Sequence, residues 1–201
     1  MNIDLPPRDE NVNRYTFVAG MTIDADGANG HDGSRRGAYG PKGTDPLDHL
    51  ANAGEPGNWW GVVTNKKTGK PIVQGIHDPA PGYYVSTTSY THKDRLESDP
   101  VRYLDSAVEM FVVLPSHWRK EIREIVLGCH CVVVDLSTKR NCNAVVADFG
   151  PKDHLGEGSI ALAKYFKLDF DPKKGGTTDQ KRFKYTFYPG VAALGYRLIP
   201  M

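Results

Sequence analysis

Only three cysteines occur in this 201-residue chain, Cys129, Cys131 and Cys142, so at least one is unpaired and a dense disulfide framework is excluded. A single bridge, Cys131 to Cys142 across a hairpin, remains open. No run of apolar residues reaches the length of a membrane span, which leaves a chain with no expected place in a bilayer. Charge of one sign is also lacking: 25 Lys and Arg face 24 Asp and Glu, so no basic surface for nucleic acid shows at whole-chain level. The start, MNIDLPPRDENVNRYTF, has no charged residues followed by an apolar core, and no secretion signal is expected there.

What is present is turn chemistry. Glycine (21) and proline (14) break the chain into short apolar runs, the pattern of a mainly β, loop-rich protein, and the length suits one well-buried domain. Residues 1–13 are polar, carry Pro6-Pro7 and read as a loosely held arm ahead of a single domain over 14–201. Tyr15 to Ile23 reads as strand, 33–58 as a long surface loop, and Trp59 to Gln74 as a hairpin turning at Lys67 to Gly69. Of the two adjacent tryptophans, one faces the core and one outward; Trp60 is a candidate platform for a sugar ring, with simple packing as the alternative. Further strands are expected at Tyr83 to Ser89, Phe111 to Pro115, Leu127 to Leu136 and Phe183 to Tyr188, with a turn or two of amphipathic helix in HWRKEIREIV.

Two features bear on metals. On a strand, Cys129 and Cys131 point one way and His130 the other, so the three do not converge, and their spacing matches no common zinc framework. In DADGANGHDG the aspartates Asp24, Asp26 and Asp32 cluster, but counting an EF-hand loop from Asp24 puts Asn29 where Gly belongs and Arg35 where Glu belongs. An Asx-rich turn, another kind of cation site and an acidic binding patch are left. No cofactor or metal is expected.

The densest chemistry lies in VVADFGPKDHLGEGSIALAKYF, residues 145–166. Ala144 to Ala147 form a short apolar run that reads as a buried strand, ending in Asp148 before a Gly150-Pro151 turn. Glu157 stands between two glycines, just ahead of a short helix with Ser159 as its expected N-cap. Two carboxylates facing one groove are the minimum equipment of a glycoside hydrolase, one as acid and one as base or nucleophile; turn and cap residues look the same in sequence.

These segments resemble the glycoside hydrolase family 75 chitosanases, whose Asp-x-Gly-Pro turn and Gly-Glu-x-Ser-Ile-x-Leu-Ala stand here as DFGP and GEGSIALA. MTIDADG, DPAPGYYVSTTSY and FKYTFYPG are similar to the same family, in the same order. Ala25 stands where the family often has cysteine, and Phe149 where a small polar residue is common. The resemblance implies a closed double-psi-like β-barrel with one or two short helices and long Gly-rich loops. It implies Asp148 and Glu157 as the catalytic pair of an endo-acting, inverting enzyme, and Tyr84 and Ser86 as contacts to sugar hydroxyls. The partner is then chitosan or a related amino-sugar polymer. Asp24 and Asp26 are expected to bind its ammonium groups. A peptidoglycan glycan-strand hydrolase and an inactive carbohydrate-binding protein are the rival readings. The family acts outside the cell, so export without the expected signal requires either its removal or another route, such as lysis or a dedicated secretion machine. A helix dipole near Glu157 and an apolar strand under Asp148 predict Asp148 as acid and Glu157 as base.

Overall fold

The computed structural model describes residues 8–9 and 11–200. Most of the chain's regular structure is one mixed sheet. Its strands are β1 (Arg8–Asp9), β2 (Arg14–Ala19), β3 (Thr22–Asp24), β6 (Phe111–Pro115), β7 (Cys129–Asp135), β8 (Asn141–Gly150), β9 (Glu157–Ser159) and β10 (Phe183–Ala192), in the spatial order β1-β2-β10-β7-β8-β6-β9-β3. β4 (Gly54–Glu55) and β5 (Asn58–Trp59) pair apart from it. Helices are short: α1 (Trp118–Glu121) and α2 (Ile160–Tyr165). None is long and apolar enough to cross a membrane among the described residues.

The strands follow from the sequence alternation. In β7, Cys129, Cys131, Val133 and Asp135 face inward between half-exposed neighbours, and in β10 Phe183, Tyr185 and Phe187 are buried, with Thr186 between them buried as well. Phe17 stacks on Tyr185 at 4.8 Å, and Trp118 meets Phe17 edge-on at 5.5 Å, so α1 seals one end of the core with the first turn of HWRKEIREIV. β8 is buried on both faces from Ala144 to Asp148, as its unbroken apolar run demands.

The mainly β character and the two short helices agree with expectation; a closed barrel does not. The hydrogen-bonded order has two edges, β1 and β3. Yet only Gly20 and Met21 separate β2 from β3, a step of at most about 11 Å. Across a flat sheet the six strand spacings between them would be about 29 Å. The sheet therefore curls until the β3 edge comes round to β2 at Gly20, where Tyr185 Oη donates to the Gly20 carbonyl at 2.7 Å. Among the described residues no ladder joins β3 to β2 or β1.

Other expectations need correction. Of the N-terminal arm, residues 1–7 and 10 lie outside the described residues, while Arg8–Asp9 pair with β2. The 33–58 segment is not a surface loop throughout: Ala38, Tyr39, Leu47 and Ala53 are core residues, tied in by Leu47 N–H to Gly37 O at 3.1 Å and Asp48 N–H to Ala38 O at 2.8 Å. The Trp59 to Gln74 hairpin turns as expected, with Thr64 opposite Pro71, but its arms make isolated bridges rather than continuous strands. So does Tyr83 to Ser89, where Tyr84 bridges Val73 and Ser86 bridges Val62. Cys131 lies opposite Ala144 and Cys142 opposite Val133, out of register for a bridge, and all three cysteines are free.

Candidate active site

Val113, at the centre of β6, is the register point of the site. It pairs with Asp148 of β8 on one side and with Glu157 of β9 on the other, which sets both acids in one row across three strands. The row continues to β3, where Thr22 is in register with Glu157 and Asp24 with Ser159. Residues two apart on a strand share a face, so Asp24, Glu157, Asp148 and Gly150 all look the same way. Phe149 looks the other way, its ring covered by the Arg119 guanidinium at 4.8 Å, so a bulky residue fits at this position without filling the groove.

A bulge aims Asp148. Val112 pairs with Val146 but Val113 with Asp148, leaving Ala147 as an extra residue in β8. The freed Ala147 carbonyl accepts the Tyr90 N–H at 2.8 Å, and this brings Ser89 onto the carboxylate. Asp148 Oδ1 then accepts three hydrogen bonds, from Ser89 Oγ at 2.5 Å, Ser89 N–H at 3.2 Å and Phe149 N–H at 2.7 Å. Burial raises the carboxyl to about 6, while those donors hold it down.

Glu157 is placed differently. It lies on β9, two residues before the N-cap Ser159, whose Oγ accepts the Leu162 N–H at 3.1 Å. No hydrogen bond to its carboxylate is present among the described residues. Burial first, then the charges of Asp148 and Asp48, push it up to about 7. Its Oε2 rests over Gly150, where an added Cβ would stand 2.6 Å away. Gly150→Ala should therefore shift the Glu157 carboxyl, a movable side-chain end, without unfolding the chain. If Glu157 serves catalysis, turnover drops roughly tenfold to a hundredfold with the melting temperature kept, because small misplacements of a reacting group are that costly. Paired kinetics and calorimetry on this variant check it, and unchanged turnover would remove Gly150 from the site.

Three further acids face these two. Asp24 and Asp26 are pushed well above the usual carboxylate range, by burial first and then by neighbouring charges that include Asp148 and Glu157. Asp24 Oδ1 accepts the Asp26 N–H at 2.7 Å, while Tyr39 lies near Asp26, whose Oδ1 is buried without a partner among the described residues. Asp48, also buried and raised, lies close enough to raise Asp26, Tyr39 and Glu157. Tyr39, Asp48 and Ser89 had no role in the sequence reading. The available hint for Asp48 was its position between Leu47 and Leu50, the one apolar turn in a polar stretch. Among the described residues, no group of three or more His, Cys, Asp or Glu side chains stands in metal-binding geometry. A cavity of about 280 Å³, walled by Leu47, Ile160, Lys164 and Phe170, includes none of the five acids.

The remaining candidates are not brought into the acidic row. Ser86 is buried and fully committed: its Oγ accepts the Gly27 N–H at 3.0 Å and donates to the Gly61 carbonyl at 3.3 Å, so its expected contact with sugar is corrected to a structural one. Tyr84 is half-buried, edge-on to Trp59 at 6.3 Å. Trp60 is 39% exposed, with its ring against Gly54, and Trp59 is the tryptophan that turns inward. Compared with known proteins, the chain matches no family model and no curated protein.

Proposed function

We propose that this protein is a glycoside hydrolase that cuts β-1,4 linkages within a glucosamine-rich polymer, chitosan, with inversion at the anomeric carbon. The observation that carries the reading is the pair Asp148 and Glu157 on one face of the sheet, the first buried and the second half-buried, each pushed up by loss of solvent, to about 6 and about 7. Such a pair exchanges protons with substrate near neutral pH. Glu157 Oε2 rests over Gly150, two residues and roughly 6.6 Å along the strand from Asp148. Inversion requires a carboxyl separation of roughly 6.5–9.5 Å, so that one carboxylate can activate a water, rather than the shorter distance for direct attack.

The roles are the reverse of those expected from sequence. Asp148 accepts three hydrogen bonds that favour its ionised form, and so is the base. Glu157 lacks such donors, keeps its proton to higher pH and is the acid that protonates the leaving oxygen. The helix dipole invoked for Glu157 does not reach it effectively, since α2 begins three residues later and spans only six residues.

Asp24, Asp26 and Asp48 give the groove its substrate preference. A buried carboxylate cluster is destabilised by its own charge, and the ammonium of a deacetylated sugar relieves it through charge-assisted hydrogen bonds. Endo action is what the likeness to family 75 implies. The likeness to family 75 supports the same reading, with the curled sheet as an unclosed form of a double-psi-like β-barrel. Polymers of this size do not cross membranes, so the substrate is met outside the cell.

Reducing-end release from highly deacetylated chitosan, run beside purified peptidoglycan, tests the substrate. Release from chitosan is expected. Release from peptidoglycan alone would move the site to another glycan, and binding to chitosan without release would make the protein a carbohydrate-binding one.

A further inference from the structure

Asp148 does not hold its orientation unaided. The residue nearest its Oδ1 is Ser89, 59 positions earlier, whose hydroxyl donates at 2.5 Å and whose backbone N–H donates at 3.2 Å. The segment is anchored on both sides: Tyr90 N–H bonds the bulge carbonyl of Ala147 at 2.8 Å, and Thr88 Oγ1 donates to the Tyr90 carbonyl at 2.8 Å while accepting the Leu104 N–H at 3.1 Å. Every hydrogen bond to the carboxylate among the described residues falls on Oδ1, and none on Oδ2.

We propose that Ser89 is a positioning residue of the hydrolytic site, fixing Asp148 through Oδ1 so that Oδ2 faces the groove and receives the proton of the attacking water. This rests on the reading of Asp148 as the base. Ser89 is an exposed residue while Asp148 is 7% exposed, so the supporting hydroxyl comes from a segment nearer the surface than the carboxylate it holds. In the step, the water O–H bond breaks, its proton goes to Asp148 Oδ2, and the oxygen pair forms the new bond to the anomeric carbon. The glycosidic C–O bond breaks, and its electron pair takes the proton of Glu157. The bonds to Oδ1 are unchanged throughout, which lets a serine hydroxyl support the base without becoming a proton carrier.

The charged groups facing Asp148 are Glu157 on β9 and Asp24 and Asp26 at β3 and its following turn. All are acids, so none replaces the lost donor in a Ser89→Ala variant. That variant should lose roughly tenfold to a hundredfold in kcat with KM little changed, since orientation and not binding is removed. Its acid limb should move to higher pH by about one unit, because a donor to the ionised form is gone. Ser89→Thr, which keeps the hydroxyl, should restore both. A purely structural serine would leave the limb in place. A shift of the alkaline limb instead would make Asp148 the acid and overturn the proposal.

A second readout does not depend on activity. The side-chain carboxyl carbon of Asp148, followed by NMR in labelled protein, should titrate at higher pH in Ser89→Ala than in wild type. An unmoved Asp148 titration would sink the positioning role, whatever the enzyme does. A moved titration in a protein that cuts no glycan would keep the contact and reject the hydrolytic reading.

Discussion

Glu157→Gln is expected to lower turnover on chitosan by about two to four orders of magnitude, the range a positioned general acid supplies. Glutamine preserves the size of the side chain and its place over Gly150, but has no proton to transfer to the leaving oxygen. The loss should be selective. A glucosaminide with an acidic phenol as leaving group needs little protonation, so the variant should still turn it over. Asp148→Asn should fail on both substrates and be revived by azide, a small nucleophile that needs no base. If azide revived Glu157→Gln and not Asp148→Asn, the two roles would have to be exchanged.

The same residues make the fold oppose its own site as pH rises. A carboxyl with a raised folded pKa binds its proton more tightly in the native than in the unfolded state. It therefore adds stability as pH falls toward its ordinary value, and that stability is lost as pH rises through the folded value. For Asp148 the window runs from 3.8 to about 6, and for Glu157 from 4.5 to about 7. Asp24, Asp26 and Asp48 act in the same direction. Calorimetry at pH 5 and pH 8 should give the higher melting temperature at pH 5, and Glu157→Gln should melt above wild type at pH 8. A melting temperature that rises from pH 5 to pH 8 would contradict this. Below about pH 4 the trend turns, because Asp135, held ionised by Arg182 and Ser137, loses its bonds on protonation.

This opposition is what the proposed binding of a cationic polymer requires. A cluster of acids satisfied by its own donors would have nothing to gain from an ammonium group. Here Lys173 lies near Asp48, and among the described residues Asp26 Oδ1 has no hydrogen-bond partner.

Much of the central segment was legible in sequence because its determinants are local. An apolar run closed by Asp148-Phe149-Gly150-Pro151 forms the buried strand, and Ser159 caps the helix that buries Ile160, Ala163 and Phe166. What sequence did not reveal depends on distant pairings. Asp48 enters the site because the backbone of 37–38 holds Leu47 and Asp48, bonds that no local pattern announces. The assignment of acid and base turned on Ser89, and Ser89 reaches Asp148 only because a bulge frees the Ala147 carbonyl for Tyr90. Ser86 looked available on an alternating segment, yet Gly27 and Gly61 from separate parts of the chain use up its hydroxyl. Barrel closure is a similar case: it depends on a ladder from β3 back to β2 or β1, and none forms among the described residues although Gly20 and Met21 join β2 directly to β3.

The most direct test of the account is a proton NMR time course of a deacetylated chitosan oligosaccharide with the wild-type protein, observing the anomeric region from the first minute. Hydrolysis by Glu157 and Asp148 through an intervening water predicts that the α-anomer of the new reducing end appears first and then mutarotates. A β-anomer appearing first would contradict the inverting pair, and an unchanged spectrum would contradict hydrolysis itself.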